Sequence, residues 1–289
     1  MGKGNRKMKC LLVVDSYSWA LHNRAVNLKR TIKDISFDIL YFKDCKNNFN
    51  KYDIIYLLNW PIYEYVKDKI SPNRKYRFIT SVSSHIGRRD ASKMKTFFSK
   101  FDAVSCSNMF LYKEFLNAKL NSKIYYTPFG VNTDIFYKKN NLPDPVVFGW
   151  CGNSKRKVKR FDYIKKACKQ NNVKLITADA GSGYSRDQMC DFYNKISCLI
   201  CFSESEGTPN PVLESLACGR PVISSNVGNV PEIYAEFGII DVVKTYSDLI
   251  KSIKLFKLKE IDNSNFRLKW SWNNKHKNFI NFIKGDICQ

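Results

Sequence analysis

The chain has 289 residues, of which 44% are apolar and 14% aromatic, so it can bury a sizeable core and is not intrinsically disordered. No apolar run reaches the roughly 18 residues that a membrane-spanning helix needs, and the first residues lack the pattern of a secretory signal, so we expect a chain that is not exported. Ten cysteines scattered through apolar segments predict a reduced, cytosolic protein.

The formal net charge is +22, and the basic excess is larger in the first half of the chain. Residues 1–150 hold 26 lysines and arginines against 12 aspartates and glutamates, whereas residues 151–289 hold 22 against 14. Such an excess predicts an anionic partner for the first half: nucleic acid, a membrane surface or an acidic glycan. A biased base composition is the alternative source of some lysines, but it does not explain why acidic residues are few.

Short apolar runs alternate with helix-like segments through the first half of the chain. The run at 10–14 is typical of a buried parallel strand, and we predict a following helix over about 19–33 that Ser16 or Ser18 caps. Further strands are predicted at 37–42, 54–58, 78–82, 103–105 and 123–126. The helices between them are predicted at 66–70, 91–101 and 111–116.

Residues 137–145 contain two prolines and an Asn-Asn pair, and they form the one stretch that looks like a linker. A second alternation follows, with strands at 146–150, 174–177, 196–203 and 222–225 and helices at 161–170, 186–195 and 212–218. The sequence therefore predicts an α/β chain with two Rossmann-like, doubly wound parallel-sheet domains, at 1–140 and 146–262. We expect a C-terminal helix within 263–289, either separate or packed back on the first domain.

The most informative segment starts where the strand at 196–203 ends. A loop rich in Gly, Pro and Asn follows, and Asn210 is predicted to cap the next helix, with Pro211 in its first turn and Gly219 just past its end. In a parallel sheet this loop lies at the carboxyl edge, where open α/β sheets bind ligands. The helix N-terminus offers N–H groups and a positive dipole end there, which suit a diphosphate.

Two carboxylates flank this position, Glu206 in the loop and Glu214 near the start of the helix. Carboxylates beside a phosphate are costly unless they bind other groups, and the hydroxyls of a sugar and a ribose would donate hydrogen bonds to them. The alternative is structural, with Glu214 complementing the helix dipole and Glu206 solvated. From this pair alone, the structural interpretation is the simpler one.

A longer pattern surrounds the two carboxylates. Glu206 and Glu214 are spaced as Glu-x7-Glu within E-G-T-P-N-P-V-L-E-S-L-A-C-G-R-P-V-I-S-S-N-V-G-N-V-P-E-I, which closely resembles the donor-site motif of retaining glycosyltransferases of family 4. The segment at 126–136 resembles that family's interdomain segment, and residues 148–162 resemble its first C-domain strand and phosphate-contacting loop. The resemblance covers about residues 123–235 and implies a GT-B fold, in which two Rossmann-like domains face a cleft.

The resemblance also implies roles for single residues. Glu206 would hold the donor-sugar hydroxyls and Glu214 the ribose diol, while Lys159 would neutralise the departing diphosphate. His85 stands where the family places a histidine that faces the donor sugar, although a loop or capped core histidine is the alternative. The other donor-binding candidates are Gly207 and Thr208, through backbone N–H groups, and Gly152, Asn153 and Arg156 in the basic loop.

Two segments depart from the family pattern. The basic loop is one residue longer than usual, so Arg156 or Lys155 would replace the family's arginine, or the whole run is simply solvated. The glycine-rich first loop is missing, and residues 15–19 stand in its place. The acceptor site is therefore not specified by the resemblance.

The sequence thus predicts a retaining glycosyltransferase that needs no metal, because it has no Asp-x-Asp pair and its basic residues can meet the charge of the diphosphate. The donor would be a UDP- or GDP-sugar, with no further cofactor, and the acceptor a cell-envelope or membrane-associated glycan. Two alternatives stay open: transfer to a hydroxymethylated base in DNA, and an inactive nucleotide-sugar-binding relative. We expect a cytoplasmic protein, free or peripherally bound to the inner face of a membrane, and no obligate protein partner.

Overall fold

The computed structural model describes residues 6–17, 20–46, 49–84, 92–181, 184–186 and 188–285. The chain divides into two compact units, the first made of Met1–Phe129 and Lys275–Gln289 and the second of Gly130–Asn274. Each unit is built on one parallel sheet with flanking helices, which confirms the predicted α/β class with two doubly wound domains. Within the described ranges, no helix is both long and apolar enough to span a bilayer.

The sheet of the first unit has six parallel strands. They are β1 (Met8–Val14), β2 (Ile35–Tyr41), β3 (Ile54–Leu57), β4 (Arg77–Val82), β5 (Ala103–Cys106) and β6 (Lys123–Tyr126), and they lie in the order β2-β1-β3-β4-β5-β6. In the register, Cys10 of β1 lies between Phe37 of β2 and Ile54 of β3. Most of these strands are buried on both faces, which explains why short, continuous apolar runs predicted them.

The helices of the first unit are α1 (Ala20–Thr31), α2 (Tyr63–Val66), α3 (Lys95–Phe98) and α4 (Met109–Asn117). The Asn108 side chain caps α4 by accepting a hydrogen bond from the Leu111 N–H at 2.9 Å. The helices predicted at 66–70 and 91–101 are wrong in extent, because α2 and α3 are single turns flanked by 3-10 turns.

The second unit has a five-stranded parallel sheet. Its strands are β7 (Val147–Gly152), β8 (Lys174–Asp179), β9 (Cys198–Cys201), β10 (Val222–Ser225) and β11 (Ile240–Val243), in the order β11-β10-β9-β7-β8. Its helices are α5 (Phe161–Gln170), α6 (Met189–Asn194), α7 (Asn210–Ala217), α8 (Val230–Phe237), α9 (Tyr246–Leu255) and α10 (Ser264–Trp270). The last helix, α11 (Trp272–Lys284), starts in this unit and continues into the first.

The prediction for the start of α7 is wrong, and the prediction for its end is confirmed. Asn210 is not the cap, since it is the first helical residue and Pro209 occupies the cap position without a side-chain hydrogen bond. Gly219 does end the helix, with φ at +70°. The Gly219 N–H donates to Leu216 at 3.0 Å and the Arg220 N–H donates to Ser215 at 3.0 Å, which is the hydrogen-bond pattern of a Schellman motif.

The segment at 137–145, which the sequence marks as a linker, lies within the second unit and is tied to it by hydrogen bonds. The buried Arg220 guanidinium donates to the Asn140 carbonyl at 2.7 Å, and the Ser197 hydroxyl donates to the Pro143 carbonyl at 2.9 Å. The Lys139 N–H donates to the Asn194 side chain at 2.8 Å. This segment is therefore bound backbone rather than a free tether.

Each sheet has one point where the order of its strands reverses. In the second unit the chain passes from β7 to β8 on one side and then returns to β9 on the other side. In the first unit β1 stands in the same way between β2 and β3. Loops leave such a pair of strands in opposite directions, and the opening between them is where doubly wound sheets bind ligands.

The centre of β7 depends on a glycine. A Cβ added to Gly149 would lie 2.6 Å from both Cδ1 and Cγ2 of the fully buried Ile196. We expect Gly149→Ala to lower the free energy of unfolding by about 1–3 kcal/mol in urea titration, because the added methyl group would overpack the interior against Ile196. The double variant with Ile196→Ala should lose less than the sum of the two single variants. Simple additivity would contradict this explanation.

Candidate functional site

Two loops meet at the carboxyl ends of β7 and β9. The loop after β7 spans 153–160 and carries the basic run, and the loop after β9 carries the first carboxylate of the Glu-x7-Glu motif. The Glu204 N–H donates to the Val158 carbonyl at 2.8 Å, so the two loops are joined through their backbones. They lie at the switch point of the second sheet, which is the ligand-binding position of this fold class.

An ion pair links the same two loops through their side chains. Lys159 Nζ donates to Glu206 Oε1 at 2.6 Å, and the two side chains are only 14% and 13% exposed. A pair this sheltered interacts more strongly than a surface salt bridge, and removal of one partner would leave an uncompensated charge. The structure thus brings together Lys159 and Glu206, to which the resemblance assigns two adjacent groups of one substrate, the diphosphate and the sugar.

The basic loop is held in place from its start. Ser154 donates from its backbone N–H to Asp179 Oδ1 at 2.9 Å and from its hydroxyl to the other oxygen of the same carboxylate. These hydrogen bonds, first from the side chain and then from the backbone of Ser154, hold the pKa of Asp179 below its usual range. Asn153 accepts from the Lys155 N–H at 3.0 Å, which closes a local turn.

The end of the basic loop leads directly into α5. Arg160 has φ at +49°, an uncommon backbone conformation for a residue with a Cβ. Its guanidinium lies 3.5 Å from Glu204 and 5.7 Å from the centre of the Phe202 ring. Phe161 stacks on Trp150 of β7 with ring centres 4.1 Å apart. Together these contacts anchor the chain directly after Lys159.

The second carboxylate, Glu214, lies on α7 and is buried, with its side chain 7% exposed. Arg186 Nη1 donates to Oε1 at 2.8 Å and the Tyr193 hydroxyl donates to Oε2 at 2.8 Å. Each carboxylate oxygen accepts up to two hydrogen bonds, so these partners leave acceptor capacity on both oxygens. The arrangement fixes the carboxylate and leaves it able to bind a pair of adjacent hydroxyls.

Three ionisable groups lie around Glu214, and their pKa values decide which of them is charged. Burial opposes the charge of Arg186, but the neighbouring Glu214 raises the pKa of Arg186 above its ordinary value. Burial raises the pKa of Tyr193 well above its usual range, and it raises the pKa of the Cys151 thiol to about 12. Both groups therefore remain protonated at neutral pH, so Arg186 is the charged partner that balances this carboxylate.

Arg186 and Tyr193 are the residues that the sequence analysis missed. They precede Glu214 by 28 and 21 residues, so no local pattern joins them to it. The one available signal is chemical, because a tyrosine in the apolar helix α6 needs a partner for its hydroxyl.

The loop at 207–209 rests on the loop after β10. Thr208 donates through its hydroxyl to Asn229 Oδ1 at 2.7 Å, and Asn229 donates in turn to Glu232 at 2.8 Å. A Cβ added to Gly228 would lie 2.7 Å from the Gly207 carbonyl oxygen, and φ of Gly228 is +56°. The Thr208 hydroxyl is therefore engaged in support of the loop.

The first turn of α7 offers fewer donors than the sequence suggests. The Asn210 N–H donates to Thr208 at 2.9 Å, and the Val212 N–H donates to Pro209 at 2.9 Å. Pro211 has no N–H to give. The expectation of a row of available N–H groups at this helix start is therefore wrong, and the dipole remains as its contribution.

The remaining candidates are placed as follows. Gly152 ends β7, and a Cβ there would lie 3.0 Å from the Trp150 ring. Arg156 is exposed and its N–H donates to the Asn153 carbonyl at 3.1 Å. His85 lies outside the described residues. Among the residues that the structure does describe, no three His, Cys, Asp or Glu side chains are grouped closely enough to hold a metal ion.

The support of Glu214 is testable through its hydroxyl partner. We expect Tyr193→Phe to lower the free energy of unfolding by about 1–3 kcal/mol, because a buried carboxylate oxygen loses its donor. Chemical denaturation measures the loss. The control is Tyr184→Phe, since that residue is 39% exposed. Equal effects of the two variants would contradict the assigned hydrogen bond.

Gly228 and Gly238 share a left-handed backbone conformation, but only at Gly228 would an added Cβ contact neighbouring atoms. Comparing them therefore distinguishes the effect of backbone strain from the effect of a steric clash. Gly228 and Gly238 have φ of +56° and +63°, but a Cβ on Gly238 would meet nothing within 4 Å. We expect Gly238→Ala to cost about 1 kcal/mol in stability and to leave ligand affinity unchanged. Gly228→Ala should cost more and also weaken nucleotide binding, measured by calorimetry, because it displaces Gly207. Unaltered nucleotide affinity in Gly228→Ala would mean that the 207–209 loop does not contact the nucleotide.

Comparison with known proteins bears on the fold and on the second unit. A family model described as Glycosyl transferases group 1 matches residues 137–277, and none of the curated proteins matches the sequence. A glycosyltransferase structure from Rickettsia africae is 15% identical with a TM-score of 0.66, and covers 96% of this chain and 98% of its own. The apo structure of the lipopolysaccharide outer core galactosyltransferase WaaB is 12% identical with a TM-score of 0.67, covering 97% and 100%.

A third solved structure is Anabaena HepE in complex with UDP. It is 10% identical with a TM-score of 0.64, and the match covers 96% of this chain and all of HepE. At such low identity these structures establish the shared fold alone. The chain therefore has the two-domain GT-B fold, and residues 137–277, which make up most of its second unit, are similar to the glycosyl transferases group 1 family.

Proposed function

We propose that the protein transfers a glycosyl group from a UDP-sugar to a hydroxyl of a cell-envelope or membrane-associated glycan, with retention of anomeric configuration. The observation that carries this proposal is the sheltered pair of Lys159 and Glu206 at a sheet switch point, with the buried Glu214 on the helix that follows. A cation for the diphosphate and carboxylates for the hydroxyls are the two chemistries that a nucleotide-sugar requires.

Lys159 is the group that we assign to the leaving diphosphate. Negative charge on the diphosphate grows as the bond to the sugar breaks, so a fixed ammonium beside it stabilises the transition state more than the ground state. Lys159 and the basic run around it supply the positive charge for which other enzymes use a metal ion. The acceptor hydroxyl would attack the sugar on the face that the diphosphate leaves, which retains the anomeric configuration. The hydroxyl's proton would pass to the departing phosphate.

Glu206 is the group that we assign to the donor sugar. Its Oε1 accepts a hydrogen bond from Lys159 Nζ at 2.6 Å. A bound diphosphate would take over part of this interaction with the ammonium, and the carboxylate would then accept hydrogen bonds from sugar hydroxyls. The exchange keeps both charges compensated at every stage, which a sheltered site requires.

Glu214 is the group that we assign to the ribose. Arg186 and Tyr193 occupy one acceptor position on each of its oxygens, and the remaining positions suit the two adjacent hydroxyls of a ribose. HepE has been solved with UDP and with UDP-glucose, which supports a UDP-sugar rather than a GDP-sugar here. From the first unit, His85 remains our candidate for the histidine that faces the donor sugar.

The acceptor is proposed from the charge of the first half of the chain. Residues 1–150 hold 26 basic and 12 acidic side chains, which suits an anionic acceptor or an anionic membrane surface on the cytoplasmic side. The same excess favours DNA as a second candidate acceptor, through contacts with phosphates. An inactive relative is disfavoured, because Lys159, Glu206 and Glu214 are all present and the first two are in contact.

The donor assignment is tested on two carboxylates of one loop. We expect Glu206→Gln to lower the rate of UDP-sugar turnover by about 10²–10³, because a contact with the reacting sugar is lost. The matched control is Glu204→Gln, whose carboxylate is 63% exposed and pairs with Arg160. Turnover of UDP-glucose, UDP-galactose, UDP-N-acetylglucosamine and GDP-mannose is followed by nucleotide release, with and without EDTA.

Three results would contradict the proposal. Equal turnover rates for Glu206→Gln and Glu204→Gln would show that Glu206 does not contact the donor sugar. Loss of activity in EDTA with recovery in manganese would refute the metal-free scheme. Turnover of the GDP-sugar alone would overturn the choice of uridine. Product masses on glycan lipids and on hydroxymethylated DNA then separate the two acceptors.

A further inference from the structure

Helices α5 and α9 of the second unit end beside each other, and lysines surround their ends. The Asn171 side chain, just past α5, donates to the Ile250 carbonyl of α9 at 3.4 Å. Residues 165–174 and 251–259, which we name the lysine end, together contain eight lysines and no acidic residue. All eight side chains are exposed: Lys165, Lys166, Lys169, Lys174, Lys251, Lys254, Lys257 and Lys259.

The lysine end lies at the amino edge of the second sheet. Lys174 is the first residue of β8. Lys257 lines a cavity together with Val222 and Ile240, which are the first residues of β10 and β11. The two loops of the candidate site leave the opposite, carboxyl edge of the same sheet. The lysines are therefore separated from that site by the length of the strands, and the proposed transfer does not use them.

Few carboxylates meet this positive charge. Within the described part of the chain, Lys165 is the one member of the lysine end with a carboxylate partner, Asp162 at 2.8 Å. Lys166 instead lies 5.9 Å from the centre of the Tyr246 ring. Each lysine held near an anionic surface strengthens binding about fivefold, so even a few of these side chains acting together would matter.

Two exposed leucines lie among the lysines. Leu255 is 60% exposed and Leu258 is 37% exposed, and both belong to the run Lys-Leu-Phe-Lys-Leu-Lys at 254–259. Phe256 between them packs inward, with its ring centre 5.3 Å from that of Phe148. Leucines flanked by lysines are typical of surfaces that lie in the headgroup region of a bilayer.

The same run borders a cavity of about 540 Å³. Its apolar walls come from Pro221, Phe237, Ile239 and Phe256. Three carboxylates also line it, and one of them, Glu260, pairs with Lys138 at 2.6 Å. Lys257 and Lys259 line it as well and offset the charge of the other two. The apolar surface near the leucines is therefore larger than the two side chains themselves.

These features together favour a lipid bilayer over other partners. Nucleic acid would meet the lysines through its phosphates but gains nothing from exposed leucines. A second copy of the chain would bring the same net charge of +22 and would be repelled. A bilayer with anionic lipids offers phosphates to the lysines and an acyl boundary to the leucines.

We propose that the lysine end is a docking surface for an anionic phospholipid bilayer, with Leu255 and Leu258 inserted among the headgroups. Docking at the amino edge of the second sheet leaves its carboxyl edge, with the candidate donor site, facing away from the lipid. The inference goes beyond the proposed function, because it requires neither a donor nor turnover.

The experiment measures co-sedimentation of the full chain with large vesicles of phosphatidylcholine, either pure or with one third phosphatidylglycerol. We expect binding to the anionic vesicles alone. The double variant Leu255→Ser with Leu258→Ser should weaken it roughly tenfold or more, because inserted apolar surface is lost. The matched control is Leu116→Ser, which changes a leucine that is 46% exposed on α4 of the first unit.

A second pair of variants tests the charge. Lys254→Gln with Lys257→Gln should weaken binding to anionic vesicles roughly tenfold or more. Lys75→Gln with Lys113→Gln removes the same charge from exposed positions of the first unit and should weaken binding less than about threefold. Every changed side chain is exposed, so we expect the fold to be kept, and thermal unfolding of each variant checks this.

Three outcomes would overturn the proposal. The first is a wild-type chain that does not bind anionic vesicles, and the second is a leucine double variant that binds them like the wild type. The third is equal weakening by the two lysine pairs, which would reduce the effect to net charge.

Fluorescence anisotropy with a short DNA duplex tests the other class of partner. If Lys254→Gln with Lys257→Gln loses DNA binding but keeps vesicle binding, the lysine end belongs to nucleic acid and the proposal is overturned. Donor turnover in the same samples keeps the two proposals apart. Vesicle binding without any turnover of a UDP-sugar would defeat the proposed function and leave the docking surface standing.

Discussion

The contact between Lys159 and Glu206 joins two loops whose residues are 47 positions apart in the chain. Neither charge is well solvated, so each must keep its counter-charge or receive another from a ligand. This requirement explains why the ligand assigned to the site must bring both an anion and hydroxyl groups. A ligand with only one of the two would leave either the ammonium or the carboxylate without compensation.

Rigid strand ends supply the precision that loops alone would lack. Asp179 ends β8 and fixes the start of the basic loop, Gly228 follows β10 and supports the loop that carries Gly207, and Tyr193 on α6 orients Glu214. Each candidate side chain is therefore held by a residue from a different element. Function is carried by the loops, and the sheet determines where they begin.

Much of the fold could be predicted, because buried parallel strands leave continuous apolar runs such as those that became β1 and β3. The Glu-x7-Glu spacing pointed to the candidate donor loop for a similar reason, since its residues are close in sequence. The partners of Glu214 could not be predicted, because Arg186 and Tyr193 reach it only through folding. Asn210 was wrong as a cap because Pro209 already occupies that position.

The bound segment at 137–145 has a consequence for how the chain meets proteases. Its sequence, with two lysines beside a proline-rich stretch, looks like an accessible cleavage site. Lys138 pairs with Glu260 at 2.6 Å, Lys139 pairs with Asp191 at 2.6 Å, and the backbone around them bonds to Asn194 and Arg220. A protease needs a strand of substrate that detaches and extends into its own cleft. This stretch would have to give up those bonds first, so trypsin should spare the apparent hinge and cut elsewhere.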